Sequence, residues 1–283
     1  MIYARLTGGL GNQLFQLAAT KKVSTLIKMD FCVCSDHLGN YERPYDFMLN
    51  DVLNDKVKNS RIPFPMGLIT SYRLNKILPF LFNWHIDNKN INDFNKFANH
   101  LVLDDYFQNV NDIKDEILNL AENIQLYRLN NQIIQDAFSN LIKDRGINNC
   151  AAIHIRRADY LSKKGEKVHC YLDNNYYKKA IDLLPNNIKT VFIFSESNEN
   201  ELSEIINCEL IYIKELNLKD TEEFLLMSFF NNIIIANSTF SFWASCTPKS
   251  NSGIKIGPKD WTFLQKENKI WEQNLDEFKF ITV

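Results

Sequence analysis

Three signatures are missing from this chain: an Asp-x-Asp pair, a Cys-x-x-Cys, and a glycine-rich loop ending in Gly-Lys-Ser/Thr. Without the first there is no paired-carboxylate clamp for a divalent metal, so a bound diphosphate would need protein cations. Without the second, the six cysteines (32, 34, 150, 170, 208 and 246) have neither zinc-ligand nor disulfide-framework spacing, and reduced thiols in a cytosol are expected. Without the third, a kinase or P-loop ATPase is disfavoured. A charge excess is missing too. The net charge of −2 leaves only a local patch to hold a polyanion, and no nucleic-acid partner is expected. No uninterrupted apolar run reaches the roughly 18 residues of a membrane span. The nearest, Ile62 to Trp84, is interrupted by Arg73, Asn75 and Lys76 and reads as a buried helix rather than a peripheral contact. No signal peptide is expected ahead of the glycine motif at residue 8, and there are no internal repeats or low-complexity tracts.

The bulk composition is that of a globular protein: 283 residues, 45% hydrophobic and 23% charged, enough for one large domain or two of ordinary size. The most informative stretch is GGLGNQLFQ at residues 8–16. It follows a short apolar strand, Ile2 to Leu6, and runs into a helical pattern that buries Phe15, Ala18, Ala19, Leu26 and Ile27. Glycines at 8, 9 and 11 let backbone amides approach a ligand, and the helix adds free N–H groups and its positive dipole end. A dinucleotide fingerprint fits poorly. Its third glycine position is Leu14, and Asp30 opens the strand Phe31–Cys34 instead of closing it, out of reach of a ribose. Asn12 and Gln13 stand at the helix entrance, amides suited to hydroxyls or phosphate oxygens; a plain helix cap is the alternative for Asn12.

From about residue 150 strands and helices alternate. Strands are expected at Cys150–Arg156, Thr190–Phe194, Leu210–Ile213, Ile233–Ala236 and Gly253–Ile256. Helices are expected at Tyr176–Leu184, Glu199–Ile206, Glu222–Phe230 and Phe240–Cys246, with Asp220 and Glu223 at capping-box spacing. That alternation implies parallel pairing and a doubly wound half. The first 145 residues are less orderly, with Pro44, Pro63 and Pro65 in a loop-rich middle and helical segments around 110–143. Asp144-Arg145-Gly146 reads as a hinge. Two α/β halves facing each other across a cleft are expected, 1–146 on the acceptor side and 147–283 for the donor.

In open α/β sheets ligands sit beyond the carboxyl ends of the strands, and distinctive residues stand there three times. The first group is His154-Ile-Arg156-Arg157-Ala-Asp159-Tyr160. Two-residue alternation puts His154 and Arg156 on one face, so Arg156 is pushed out of an apolar sheet where its guanidinium could bind a diphosphate bidentately. Arg156 paired with a structural carboxylate and His154 as a core histidine are the alternatives. The second group is Ser195-Glu196-Ser197, placed for a base or ribose or simply opening a loop. The third is Asn237-Ser238-Thr239-Phe240, polar groups at a helix start that could offer amides to phosphate or act as a plain N-cap, with Phe242 and Trp243 in the core.

At these residues the chain resembles the bacterial α-1,2-fucosyltransferases. The resemblance rests on GGLGNQLFQLA at 8–18, DYFQN at 105–109, HIRRADY at 154–160, VFIFSES at 191–197, LLMSFFNNIIIANSTFSFWAS at 225–245 and the weaker IGPKDW at 256–261. Phe230, Asn232 and Phe242 stand where Cys, His and Trp are commoner in that pattern. The resemblance implies an α/β, GT-B-like fold of two Rossmann-type halves and GDP-L-fucose as donor, with no metal and no cofactor. It implies transfer, with inversion, to the 2-hydroxyl of a terminal galactose on an oligosaccharide or lipid-linked surface glycan. Carried over by motif, Gly11, Asn12 and Gln13 would lie at the donor diphosphate, Arg156 with Arg157 at the β-phosphate, and His154 and Asp159 around the guanosine and the reacting atoms. Ser195 would line the nucleotide pocket, and Asn237, Ser238, Thr239 and Phe240 would complete the phosphate and base contacts. Asp159 is the first candidate for general base, with pairing to Arg157 or a turn cap as its alternative. Another GDP-sugar transferase and a non-catalytic sugar-nucleotide binder are the rival readings. The expected location is the cytoplasm, with peripheral attachment to the inner face of the membrane left open. Acceptor contacts are sought around 35–110, where Asp36, His37, Tyr41, Arg43 and Tyr106 are available.

Overall fold

Short apolar segments separated by helices can pair side by side only in parallel, because each helix returns the chain to the same edge of the sheet. The computed structural model bears this out in two parallel sheets. It describes residues 1–36, 38–40, 45–62, 85–86, 101–156, 171–195, 202, 208–247, 253–259, 261 and 280–282. The chain divides into two compact units, Met1–Asn123 and Ile124–Val283.

In the first unit β1 (Ile2–Arg5) leads through α1 (Leu10–Ile27) to β2 (Phe31–Cys34). Two short strands follow, β3 (His85–Ile86) and β4 (Leu101–Leu103). The order is β2-β1-β4-β3, with Ala4 level with Val33 on one side and Leu103 on the other. α1 is buried on nearly all sides over its first half, with Leu10, Leu14, Phe15, Leu17, Ala18, Ala19 and Val23 removed from solvent. That cover ends at Val23. Leu26 is 47% exposed, against the sequence expectation, since the final turn runs past the core before Lys28, at φ 55°, stops the helix. Asp30 does precede β2, and its carbonyl accepts from the Ile2 amide at 2.8 Å, which places it at the amino ends of β1 and β2. A long helix, α2 (Lys114–Asn130), begins in this unit.

The second unit holds α3 (Gln132–Ile142), β5 (Cys150–Ile155), α4 (Asn174–Asp182), β6 (Thr190–Ser195) and β7 (Glu209–Tyr212). It continues with α5 (Asp220–Met227), β8 (Asn232–Ile234), α6 (Thr239–Cys246), β9 (Lys255–Gly257) and β10 (Phe280–Thr282). The order is β10-β9-β8-β5-β6-β7. Counted from β5 as one, that is 6-5-4-1-2-3, the doubly wound arrangement whose direction of growth reverses between β5 and β8. One face carries Ala151, Ile153, Ile155, Val191 and Ile193 against Tyr176, Tyr177, Ala180 and Leu184 of the α4 region. The other is aromatic, with Phe192 and Phe194 against Phe230, and Phe230 in turn edge-on to Phe138 of α3. Both faces are covered, so the strands read as continuous apolar runs.

Two polar ties complete this unit. Arg128, 4% exposed, donates to the Ser228 carbonyl and lies 4.3 Å over the Phe229 ring. It thus places a cation at the carboxyl end of α5, where the helix dipole favours one; burial lowers its pKa to about 10, leaving it charged at neutral pH. Arg145, in the segment expected to act as a hinge, forks onto Glu209 of β7 at 2.8 and 2.6 Å. Hydrogen bonds from Arg145 and Thr190 bring the Glu209 carboxyl down to about 2. The capping pattern expected at Asp220 and Glu223 falls one residue earlier. α5 starts at Asp220, and Glu222 accepts from the Lys219 amide at 2.8 Å, because the turn after Asn217, at φ 51°, brings the chain into the helix sooner.

Candidate functional site

Each sheet has a reversal point, and the distinctive residues of the sequence gather at both. In the first unit the point lies between β1 and β4. Arg5 at the end of β1 pairs with Asp104 just past β4, closing the two strand ends together. The chain leaves β1 through Thr7 and Gly8, whose φ of +75° is the left-handed region. A Cβ on Gly8 would lie 2.5 Å from Asn12 Nδ2, so the turn and the asparagine amide fit only because the side chain is absent.

Three amides organise this turn. Gln13 is wholly buried; its Nε2 donates to the carbonyls of Gly8 (3.2 Å) and Asp46 (2.8 Å), and its Oε1 accepts from the Met48 amide at 3.1 Å. It therefore holds the 46–48 loop on the turn. Gln16 does the same on the other side, accepting from Thr7 N at 3.0 Å and donating to Thr7 Oγ1 (2.6 Å) and the Asp105 carbonyl (3.2 Å). Asn12 is half-buried, and its Oδ1 accepts from Gln108 Nε2 at 3.0 Å. Gly11 is buried inside the first turn of α1. The helix itself starts at Gly9 with no side-chain cap and no acidic residue in its first turn.

In the second unit the reversal lies between β5 and β8. As alternation requires, His154 and Arg156 occupy the face opposite Ile153 and Ile155, and both are half-buried. Arg156 Nη1 reaches Ser238 Oγ at 3.5 Å, across the reversal and from the end of one central strand to the start of the helix after the other. Ser238 is the N-cap residue of α6, yet its hydroxyl makes no capping bond; α6, like α1, has no acidic residue in its first turn. The other described helices either carry a side-chain cap, as α3 and α4 do from Asn131 and Asp173, or hold carboxylates in the first turn, as α2 and α5 do. Among the described α-helices only α1 and α6 have neither a side-chain cap nor an acidic residue in the first turn, and those are the two at the reversal points.

His154 stacks on Phe240 with ring centroids 5.5 Å apart and planes 29° apart, and Phe240 stands edge-on to Phe224. Burial first, and the Arg156 charge second, hold the imidazole down to about 3, so His154 is neutral at physiological pH. Its carbonyl accepts from Tyr177 Oη at 3.3 Å, and among the described residues its buried Nδ1 has no hydrogen-bond partner. Ser195 ends β6 level with Ile155, beside the same strand end. Thr239 and Phe240, both half-buried, form the first turn of α6. Asn237 Nδ2 donates to the Trp261 carbonyl at 3.0 Å and ties that neighbouring segment to the start of α6. Phe242 and Trp243 are fully buried, as their core reading requires.

Arg157, Asp159, Tyr160, Glu196, Ser197, His37, Tyr41 and Arg43, like most of Glu199–Ile206 and of Ile62–Trp84, lie outside the described residues. Asp36 stands 4.0 Å from Arg61, and Tyr106 is 44% exposed. Gln16 and Gln108 lie in motifs quoted above that assign them no role of their own, and Tyr177 in a segment read only as a helix. The signal for Gln16 was available: a glutamine inside an otherwise apolar helical face must find buried partners. Gln108 cannot be placed without β4, whose three residues give no strand period of their own. Among the described residues no three His, Cys, Asp or Glu side chains are grouped as metal ligands, and no helix is long and apolar enough to cross a membrane. The five described cysteines are free.

Comparison with known proteins points in one direction. A family model described as glycosyl transferase family 11 matches residues 1–279. The O-antigen biosynthesis glycosyltransferase WbnK of Escherichia coli is 26% identical over 95% of this chain and 97% of its own length. An alpha-1,2-colitosyltransferase, also from Escherichia coli, is 27% identical over 92% of each. Among solved structures, the α-1,6-fucosyltransferase NodZ from Bradyrhizobium, soaked with GDP-fucose, superposes with a TM-score of 0.52 at 14% identity, covering 86% of this chain and 91% of that one. The fold is thus α/β and GT-B-like.

Proposed function

This chain belongs to glycosyl transferase family 11, and we propose that it moves L-fucose from GDP-β-L-fucose to the 2-hydroxyl of a terminal galactose, inverting the anomeric centre, in the synthesis of an O-antigen. The observation that carries the donor reading is Arg156 reaching Ser238 across the strand reversal, beside the uncapped amide end of α6. A cation and a helix N-terminus at one point are suited to a diphosphate.

The step is a single displacement. The acceptor oxygen forms its bond to the anomeric carbon as the bond from that carbon to the β-phosphate oxygen breaks. The acceptor proton passes to a base, for which Asp159 is the candidate, and the electron pair leaves with GDP. Negative charge grows on the β-phosphate during this change, so Arg156 and the α6 amides favour the transition state over the ground state. His154, neutral and stacked on Phe240, supplies a flat apolar wall rather than a charge. Asn12 and the amide end of α1 form a second donor cluster for phosphate or sugar oxygens. Support for working without a metal comes from these protein donors and from the lack of any Asp-x-Asp pair in the sequence.

A second reading keeps the site and changes the sugar: the similarity to a colitosyltransferase favours colitose as the transferred group. The deciding experiment incubates the protein with GDP-fucose or GDP-colitose and β-galactosides that are free or blocked at the 2-hydroxyl, with and without EDTA. GDP release confined to fucose and to free 2-hydroxyls, and undiminished by EDTA, is the expected outcome. Release with blocked acceptors refutes the linkage, and a thermal shift with GDP but no consumption of any donor refutes the transferase reading.

A further inference from the structure

We infer that Gln108 is a positioning residue that sets which edge of the Asn12 amide faces the proposed donor. This rests on the donor reading above. The segment after β4 turns through Phe107, which is 2% exposed and adopts φ 51°, a conformation that an L-residue with a bulky ring takes only at a cost. The bend is held on both sides. Gln16 fixes the Asp105 carbonyl at 3.2 Å, and Asn109 opens the following turn with its Nδ2 on Asp112 at 2.7 Å. What the strained residue delivers is its neighbour: Gln108 Nε2 donates to Asn12 Oδ1 at 3.0 Å, joining positions 96 apart in the chain.

An asparagine amide has an acceptor edge and a donor edge, and engaging one decides where the other goes. With Oδ1 held by Gln108, Nδ2 lies over the Gly8 turn, 2.5 Å from where a Cβ on Gly8 would stand. A reversed amide would set Oδ1 where Nδ2 now stands. The turn presents donors to an anion, in place of an acceptor that would repel one. Gln108 touches no reacting atom in this scheme; it acts through Asn12.

The test is a double-mutant cycle read by GDP binding in calorimetry, with donor KM and kcat alongside and melting temperature as the folding control. Gln108→Ala in the wild-type background should weaken GDP binding about tenfold, the size of one lost orienting hydrogen bond. In the Asn12→Ala background the same change should cost less than twofold. Gln108→Glu, isosteric and able only to accept, should reverse the amide and weaken GDP more than Gln108→Ala does in the wild-type background but much less in the Asn12→Ala background, which separates the turned amide from the added charge; it serves alone if the alanine variant does not fold. Equal losses in both backgrounds, or no loss in the wild-type background, overturn the inference while leaving the donor reading intact. Wild-type protein that binds no GDP overturns the donor reading and this inference together.

Discussion

Arg156 and His154 sit two residues apart on one strand face and differ sharply in what they can do. Arg156 is a fixed cation whose effect should appear where charge develops. Arg156→Ala is expected to lower kcat by roughly 10²–10³ with a smaller change in donor KM, and Arg156→Lys to recover only part, because a single ammonium cannot present two parallel donors. Steady-state kinetics with GDP-fucose decides this, and near-normal turnover in the lysine variant would remove bidentate contact as the main effect. His154 is the opposite case, a titratable group kept neutral. Its folded pKa, about 3, lies below the ordinary imidazole value of 6.5. Between those values the unfolded chain binds a proton that the folded chain does not, so stability is fully present above pH 6.5 and is lost as pH falls towards 3. The loss at pH 5 should be about 2 kcal/mol, and His154→Gln should lack it. Urea denaturation at pH 5 and 7.5 tests the difference; an equal loss of unfolding free energy in both proteins would refute it.

The glycine turn and its helix make a similarly specific demand. Gly8→Ala forces a Cβ into both a left-handed conformation and the space of the Asn12 amide. It should cost about 1–2 kcal/mol in denaturation and weaken GDP binding as well, whereas a purely local backbone effect would leave binding unchanged. How far such elements could be read beforehand varied with their length and surroundings. β2 and β6, apolar and bounded by polar residues, were recognisable to within a residue. The Arg156 and Ser238 motifs were placed correctly at strand ends because periodicity alone puts them there. β3 and β4, only two and three residues long, carry no period of their own; β4 is defined by pairing with β1, and β3 by pairing with β4. With them went the bond between Gln108 and Asn12. Gln13 shows a different limit: its residue type suited a ligand, yet burial between two loops commits both its donors to carbonyls, and only packing could reveal that.

Taken as a whole, the chain uses one solution twice. In each unit a strand from the early part of the sheet and one from much later become neighbours, and an uncapped helix begins beside their carboxyl ends. The marker bonds at these points span 96 residues, from Asn12 to Gln108, and 82 residues, from Arg156 to Ser238. Closing loops of that size is slow compared with forming helices, so both clusters belong to the last events of folding. A refolding chain should regain its circular dichroism well before it can retain GDP, and stopped-flow measurement of the two signals would expose the interval. On the function proposed above, uptake of nucleotide would then serve as a certificate of completed assembly: truncated or half-made copies of this protein would leave activated sugars untouched.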